Sequence, residues 1–356
     1  MVESRDRVTP QRPAAAEAAP VGAPARATPA GGSRSTLLAV LVPCLDEEPT
    51  IAAVLGRIPE RIPGVGEVVK VVIDDGSTDA TPERARGAGA RVVSHGSNLG
   101  LGKAFRTGVH EALRLGADLV VNVDGDGQFD PADIPLLLGP ILDGRAHMAT
   151  ASRFMDRELV PRMPRIKRWG NRWVARIVQL LTGRRFHDVS CGFRAFSREA
   201  LLHMNLFGGL TYTQETFLDL VFKEMTVVEV PVRVRGTREF GRSRVASNLP
   251  RYAVRSLQIM MRAFIAYRPF SFFSTLAAGF FGVGAGLLGF LLAHYLSSGS
   301  FTPHIWAGFV GGALTLVGVI TLVIGIVGDM MVRIRMNQEK ILYYLKRDAY
   351  ARPPGA

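Results

Sequence analysis

The 356-residue sequence predicts an α/β domain on a mostly parallel sheet, followed by juxtamembrane amphipathic helices and a two-helix transmembrane hairpin. Three observations predict it. Short apolar runs alternate with helically spaced segments between Leu37 and Leu142. Acidic residues gather where those apolar runs end. Two apolar stretches near the C-terminus each exceed the roughly 20 residues that cross a bilayer.

The elements are taken in order. Residues 1–35 are rich in Ala, Pro, Arg and Gly, show no helical or strand period, and read as a disordered tail; no apolar segment of signal-peptide type follows the early charges. Leu37 to Pro43, Val68 to Asp74, Ala90 to Ser94 and Leu119 to Asp124 read as buried strands. Glu48 to Ile58, Thr81 to Ala88, Gly102 to Leu115 and Pro131 to Leu142 read as the helices between them. In such a sheet a ligand binds beyond the carboxyl ends of the strands. After Ala151 the pattern loosens. Arg165 to Leu181 has the spacing of a basic amphipathic helix, and Val227 to Val234 is strand-like. The α/β domain is set at 36–245.

Residues 246–269 form a juxtamembrane region in which arginines alternate with Leu257, Ile259, Met260, Met261 and Phe264. Residues 270–332 hold the two spans, Phe270 to Leu296 and Ile305 to Val332, and 333–356 a basic tail. The connection Ser297 to His304 has no Lys or Arg, whereas arginines precede the first span and Arg333, Arg335 and Lys340 follow the second. The positive-inside tendency therefore puts both ends in the cytoplasm. Gly282/Gly286 and Gly308/Gly312 are small-residue pairs that allow close helix packing; a homo-oligomer is compatible with them.

The chain is 47% hydrophobic, with a mean hydropathy of +0.17 and a net charge of +12. Basic residues crowd beside the apolar spans, which points to lipid headgroups and phosphates rather than nucleic acid. Cys44 and Cys191, far apart, read as reduced thiols.

The strongest local motif is Asp124-Gly125-Asp126-Gly127-Gln128 after a strand. Two carboxylates two residues apart can share one hard divalent ion, Mg²⁺ or Mn²⁺, able to neutralise a diphosphate. Asp74-Asp75-Gly76-Ser77-Thr78-Asp79 also stands at a strand end, where a carboxylate can accept from a ribose or base and the same loop can cap the next helix. Val42-Pro43-Cys44-Leu45-Asp46-Glu47-Glu48 ends a strand and opens a helix with acids. Asn98-Leu99-Gly100-Leu101-Gly102-Lys103-Ala104 is a Gly-rich turn of the kind that cradles phosphate. Two matches are empty. Gly96 to Lys103 is one residue too long for a P-loop, and Gly284-Ala285-Gly286-Leu287-Leu288-Gly289 lies inside a membrane span with no strand before it.

Together with Ser152-Arg153-Phe154, Asp188-Val189-Ser190-Cys191-Gly192-Phe193-Arg194, Glu229-Val230-Pro231-Val232 and Arg238-Glu239-Phe240-Gly241-Arg242-Ser243-Arg244, this ordered set resembles the dolichol-phosphate mannose synthase-like, polyprenyl-phosphate glycosyltransferases. The resemblance covers about Leu37 to Arg244. It implies a Rossmann-like GT-A fold and metal-dependent, inverting transfer of a hexose from a UDP- or GDP-sugar to a polyprenyl or dolichyl phosphate. By position it implies that Pro43, Glu47 and Asp75 hold the nucleoside and that Lys103, Arg238 and Arg244 serve the donor. Asp124, Asp126 and Gln128 would hold metal and diphosphate, with Asp126 and Arg153 catalytic. Arg153, Arg165 and Arg168 would receive the acceptor phosphate. Asp46 stands where the family usually has Asn, and Arg244 where it has Lys.

The acceptor phosphate is already anionic near neutral pH, so the reaction needs arginines more than a strong base. His187 and Asp188, adjacent in an extended segment, should face opposite ways and be structural. Glu215 is an unplaced candidate for the sugar. Two other readings stand beside this one. A processive polysaccharide synthase would carry a Gln three residues before Arg168-Trp169 and more spans. A non-catalytic, membrane-tethered nucleotide-sugar binder would not need the complete Asp124/Asp126/Gln128 set.

Overall fold

The computed structural model describes residues 35–160, 163, 165–205, 212–235, 254, 257–258, 261–262 and 264–351. Strands β1 (Leu37–Cys44), β2 (Glu67–Asp74), β3 (Arg91–Ser94), β4 (Leu119–Asn122), β5 (Met148–Ser152), β6 (Arg194–Ser197) and β7 (Val227–Pro231) form one seven-stranded sheet in the order β3-β2-β1-β4-β6-β5-β7. All neighbouring pairs are parallel except those made by β6, which runs against β4 and β5. Because β6 opposes both, β4 and β5 point the same way. The ends of β1, β2, β4 and β5 and the start of β6 therefore share one edge, where Asn122 pairs with Arg194 and Arg194 with Thr150.

Helices α1 (Ile51–Gly56), α2 (Thr81–Gly87) and α4 (Ile134–Leu142, after a 3₁₀ turn at Pro131–Asp133) follow β1, β2 and β4. The buried residues of α1 and α4 share a core with alternate residues of β1 and β4, Leu38, Val40, Val42 and Val121. The other side chains of those strands, among them Ala39, Leu41 and Val120, pack against α3 (Leu101–Arg114), α5 (Arg165–Thr182), α6 (Arg198–His203) and α7 (Thr213–Phe222). Period-two alternation thus gives the central strands two buried faces, which is why they read as continuous apolar runs.

Helices α8 (Pro269–Ser298) and α9 (Ile305–Ala349) pair along their length and are long and apolar enough to cross a membrane. Close packing uses glycine: a Cβ on Gly284 would lie 2.7 Å from Thr315 Oγ1, and one on Gly318 2.9 Å from the Phe281 ring. The basic tail expected after Val332 is helical as far as Ala349. Residues 333–349 continue α9 without a break, since they contain neither Gly nor Pro and are rich in good helix formers. The extension returns to the α/β domain, where Lys346 donates to Met204 O (2.7 Å) and Asn205 Oδ1 (2.9 Å), and Arg198 donates to Tyr350 O (2.6 Å). Before α8, the described residues between 254 and 267 are helical.

Candidate functional site

The loops after β1 and β2 are sewn together. The amides of Asp46, Glu47 and Glu48 donate to Ser77 Oγ, Thr81 Oγ1 and Asp79 Oδ2, and Thr78 N donates back to Asp46 Oδ1 at 2.7 Å. Asp46 sits at φ +49°, a left-handed conformation that Asp and Asn tolerate better than other side chains. Gly76, at φ +83°, lies so close to the next loop that a Cβ would fall 2.7 Å from Ser97 C.

Asp75 is buried at the end of β2. Its Oδ1 accepts from Leu99 N (3.0 Å) and meets His95 Nδ1 (2.8 Å); its Oδ2 accepts from Gly100 N (2.8 Å). His95 is braced in turn by Thr107 Oγ1 at 3.0 Å. The Gly-rich turn, read from sequence as a phosphate cradle, thus spends two amides on this carboxylate. Lys103 stands exposed on the first turn of α3.

Asp124 and Asp126 follow β4. Asp126 is buried, and its Oδ1 accepts from Gln128 N at 3.0 Å. The backbone between them is fixed by Thr50 Oγ1, which donates to Gly125 O at 2.7 Å. Gly192 leaves room at the first carboxylate, since a Cβ there would meet Asp124 Oδ2 at 2.9 Å. Below, Asn122 Nδ2 donates to Gly192 O (3.0 Å) and Tyr212 Oη (2.6 Å), and Tyr212 stacks on Phe105 with centroids 4.0 Å apart. Burial pushes the Tyr212 phenol well above its ordinary pKa, reinforced by the Asp124 charge, so it remains a neutral donor.

Just past β5, Arg153 makes a two-pronged pair with Asp188: Nε donates to Oδ2 (2.6 Å) and Nη2 to Oδ1 (2.9 Å). Nη2 also donates to Ser190 Oγ at 2.8 Å, and that hydroxyl donates to Asn171 Oδ1 on α5 at 3.0 Å. Asp188 is fully buried, so Arg153 is held in one place. Glu229 on β7 accepts from Ser152 Oγ (2.8 Å), Asp188 N (2.7 Å) and His187 N (2.8 Å). His187 turns outward to Glu229 while Asp188 turns inward to Arg153, the opposed orientation expected of neighbours in an extended segment.

Comparison with known proteins places these motifs. The family description Glycosyl transferase family 2 matches residues 39–204. A dolichyl-phosphate hexose transferase of Haloferax volcanii is 33% identical over 56% of this chain and 82% of its own length. The chain belongs to glycosyl transferase family 2. A dodecaprenyl-phosphate galacturonate synthase of Rhizobium johnstonii is 26% identical to this family 2 glycosyltransferase over 89% of the chain and 94% of its own. Among solved structures, glucosyl-3-phosphoglycerate synthase of Mycobacterium tuberculosis, in complex with Mn²⁺, UDP-glucose and phosphoglyceric acid, superposes with TM-score 0.51 at 26% identity, covering 65% of this chain and 80% of that one.

The family 2 fold brings most of the sequence-selected residues to one edge: Pro43 is the penultimate residue of β1, Glu47 lies in the following loop, and Asp75, Asp124, Asp126, Gln128 and Arg153 follow strand ends. Arg168 stands half-exposed on the first turn of α5. Arg165 begins that helix, but its side chain is outside the described set, as are Arg238 and Arg244 entirely. Among the described residues no three His, Cys, Asp or Glu side chains converge as a cage. Asp124 and Asp126 supply two hard oxygen donors, and Gly192, lacking a Cβ, leaves room beside the first, so the donor set fits a divalent ion.

Sequence reasoning gave no role to Arg194, which is fully buried at the start of β6. Its guanidinium donates to Cys191 O (2.8 Å), Val189 O (3.0 Å), Thr213 O and Thr216 Oγ1 (2.6 Å), tying the 189–194 loop to the first turn of α7. Burial lowers its pKa, opposed by Tyr212 and Cys191 first and then by Asp188 and Asp124. Glu215, on that same first turn, is half-buried. The sequence signals for Arg194 were its place at the end of the Asp188–Arg194 motif and in the middle of an otherwise apolar Gly-Phe-Arg-Ala-Phe run.

Proposed function

We propose that this glycosyltransferase moves one hexose from a UDP- or GDP-linked sugar to a polyprenyl phosphate at the cytoplasmic membrane face, with inversion at the anomeric carbon. The observation that carries the reading is the shared sheet edge: the Asp124/Asp126 pair and the clamped Arg153 lie on it, in a chain whose C-terminal helices are fit to cross a membrane. The relatives named for dolichyl and dodecaprenyl phosphate support the acceptor, and the Mn²⁺–UDP-glucose complex of the structural neighbour supports the donor.

Asp75, with its loop, meets the nucleoside, and its fixed hydrogen bonds present it in one orientation. Asp124, Asp126 and Gln128 would hold Mg²⁺ or Mn²⁺, which when bound neutralises charge on the departing diphosphate. Arg153, immobilised by Asp188 and Ser190, orients the acceptor phosphate, with Arg165 and Arg168 on the following helix adding positive charge. The acceptor oxygen is already ionised and attacks without proton transfer to the protein. Arg238 and Arg244, outside the described residues, would serve the donor phosphates, as the resemblance implies.

The test supplies the detergent-purified chain with a short polyprenyl phosphate and labelled UDP- and GDP-sugars, with Mg²⁺ or Mn²⁺ and then with EDTA. One donor giving a single-sugar lipid product, lost with EDTA, is expected. A polymer, or nucleotide binding with no lipid product, would overturn the reading.

A further inference from the structure

Helix α9 keeps one column of residues turned toward its own chain along its whole length. Gly311, Gly318 and Gly325, seven residues apart, lie against α8, and a Cβ on any of them would fall within 3.0 Å of that helix. The same seven-residue step leads on to Glu339, which pairs with Lys223 at 3.4 Å, and to Lys346, which grips Met204 O and Asn205 Oδ1. A straight α-helix drifts by about 20° per seven residues, so a column held from 311 to 346 follows a heptad phase.

Residues two before and two after each member of that column lie about 160° away from it, at about 100° per residue. They make a second column: Val323 and Val327 around Gly325, Asn337 and Ile341 around Glu339, Tyr344 and Asp348 around Lys346. With Met330 and Ile334 they follow the alternating four- and three-residue spacing of a coiled-coil seam. The seam is exposed; Ile334 is 57% and Ile341 60% accessible. Ile320, Val327, Ile334 and Ile341 recur at every seventh position, the β-branched pattern of two-stranded coils. The charged residues from Asp329 to Arg347 all fall off it.

Lipid covers only part of this seam. With the span ending near Val332, Ile341 stands about 13 Å farther along the helix, beyond a headgroup layer of about 5–8 Å. A second copy of the chain suits the rest. Two copies in one membrane run the same way, so their α9 helices meet in parallel through identical faces. Asn337 then faces Asn337 of the second copy only in register, and Asp348 packs beside Arg347 of the second copy. A seam from Leu316 to Asp348, about 50 Å long and about 10 Å wide, removes on the order of 1,000 Å² in total, enough for a specific interface.

We infer that the Ile334–Asn337–Ile341–Tyr344 face of α9 pairs, parallel and in register, with the same face of a second copy of this chain. The α/β domain holds the opposite side of α9, so pairing leaves both domains on the outside of a central two-helix coil.

The test places single cysteines in the full-length chain, reconstituted in phosphatidylcholine liposomes at low protein density and treated with a mild oxidant. The native Cys44 and Cys191 are buried, and the parent chain controls for them. Ile334→Cys and Ile341→Cys should give disulfide-linked dimer severalfold more than Met336→Cys, which is equally exposed but off the seam. In detergent, mass photometry should find a dimer for the parent and a monomer for Ile334→Glu/Ile341→Glu, with the melting transition of the protein retained. Equal linking at all three positions, or none, would overturn the inference. So would a dimer that survives the double glutamate, since it would use another surface. Linking at 334 and 341 to a different protein in native membranes, without self-linking, would assign the face to that partner and overturn it too. No donor, acceptor or turnover enters the readout, so it is decided separately from the proposed reaction.

Discussion

The Tyr267 hydroxyl donates to Asp219 Oδ1 across 2.6 Å, joining the segment that enters α8 to the buried side of α7. Asp219 also pairs with Lys223 at 2.9 Å and accepts from Asn205 N at 3.0 Å; Arg335 of α9 lies over the Tyr267 ring at 4.5 Å and reaches Glu339 at 2.8 Å. Burial, then the Asp219 charge, raises the Tyr267 pKa, so the phenol remains a donor across the physiological range. Tyr267→Phe keeps the stacking on Phe222 and removes one bond to a buried carboxylate. It should lower stability by about 1.5–3 kcal/mol, read as a fall in melting temperature in detergent.

Asp126→Asn preserves an acceptor for Gln128 N and the volume of the side chain, so the fold should stand. Transfer should fall on the order of 100-fold or more, because charge complementarity to the ion and diphosphate is lost. Activity near the parent level, with melting unchanged, would remove Asp126 from the ion site.

Arg153→Lys keeps the charge but cannot reproduce the two-pronged contact with Asp188 and Ser190. The expected signature is a raised KM for the lipid acceptor with a nearly unchanged KM for the donor. Asp188→Ala strips a buried partner from the cation and should cost about 3–5 kcal/mol in stability. Equal effects on both KM values would place Arg153 outside acceptor binding.

Gly76→Ala forces a Cβ to within 2.7 Å of Ser97 C at a positive φ. About 2–4 kcal/mol of stability should be lost. The 97–100 loop that grips Asp75 should shift as well, weakening nucleotide binding measured by calorimetry.

Both thiols should be inert. Burial pushes Cys191 up to about 12 and Cys44 higher still, with nearby Asp188 and Asp74 adding to the effect. Neither should react with a maleimide in the folded protein near neutral pH, and both should after unfolding. The linkage has a definite sign. Above about pH 9 the unfolded chain loses thiol protons that the folded chain retains. Stability should therefore fall with rising pH, by up to about 1.4 kcal/mol per pH unit for each thiol.

The first half of the domain was legible because its strands are buried on both faces and end in turn-forming acids; four apolar runs from Leu37 to Asp124 correspond to β1–β4. The gathering of the candidate carboxylates at one edge was legible for the same reason, since residues that follow parallel strands converge. Strands β5 and β6 were not. Arg-Ala-Phe-Ser is too short to show a period, and its buried arginine reads as a surface residue until the carbonyls that satisfy it are seen. The end of the second span was set at Val332 because charge begins there. Charge ends a hydrocarbon crossing but does not end a helix, and α9 runs on to Ala349.

That uninterrupted helix has a mechanical meaning. At 1.5 Å per residue, 45 residues make a rod about 68 Å long, of which a bilayer core takes about 30 Å. The remainder is a gauge between lipid and enzyme, graduated in residues: adding one would lift the gripping end by about 1.5 Å and rotate it by about 100°, swinging Lys346 and Tyr350 off their docking points. Length in this stretch is therefore quantised in whole turns, and sequence drift there should tolerate substitution far better than insertion or deletion.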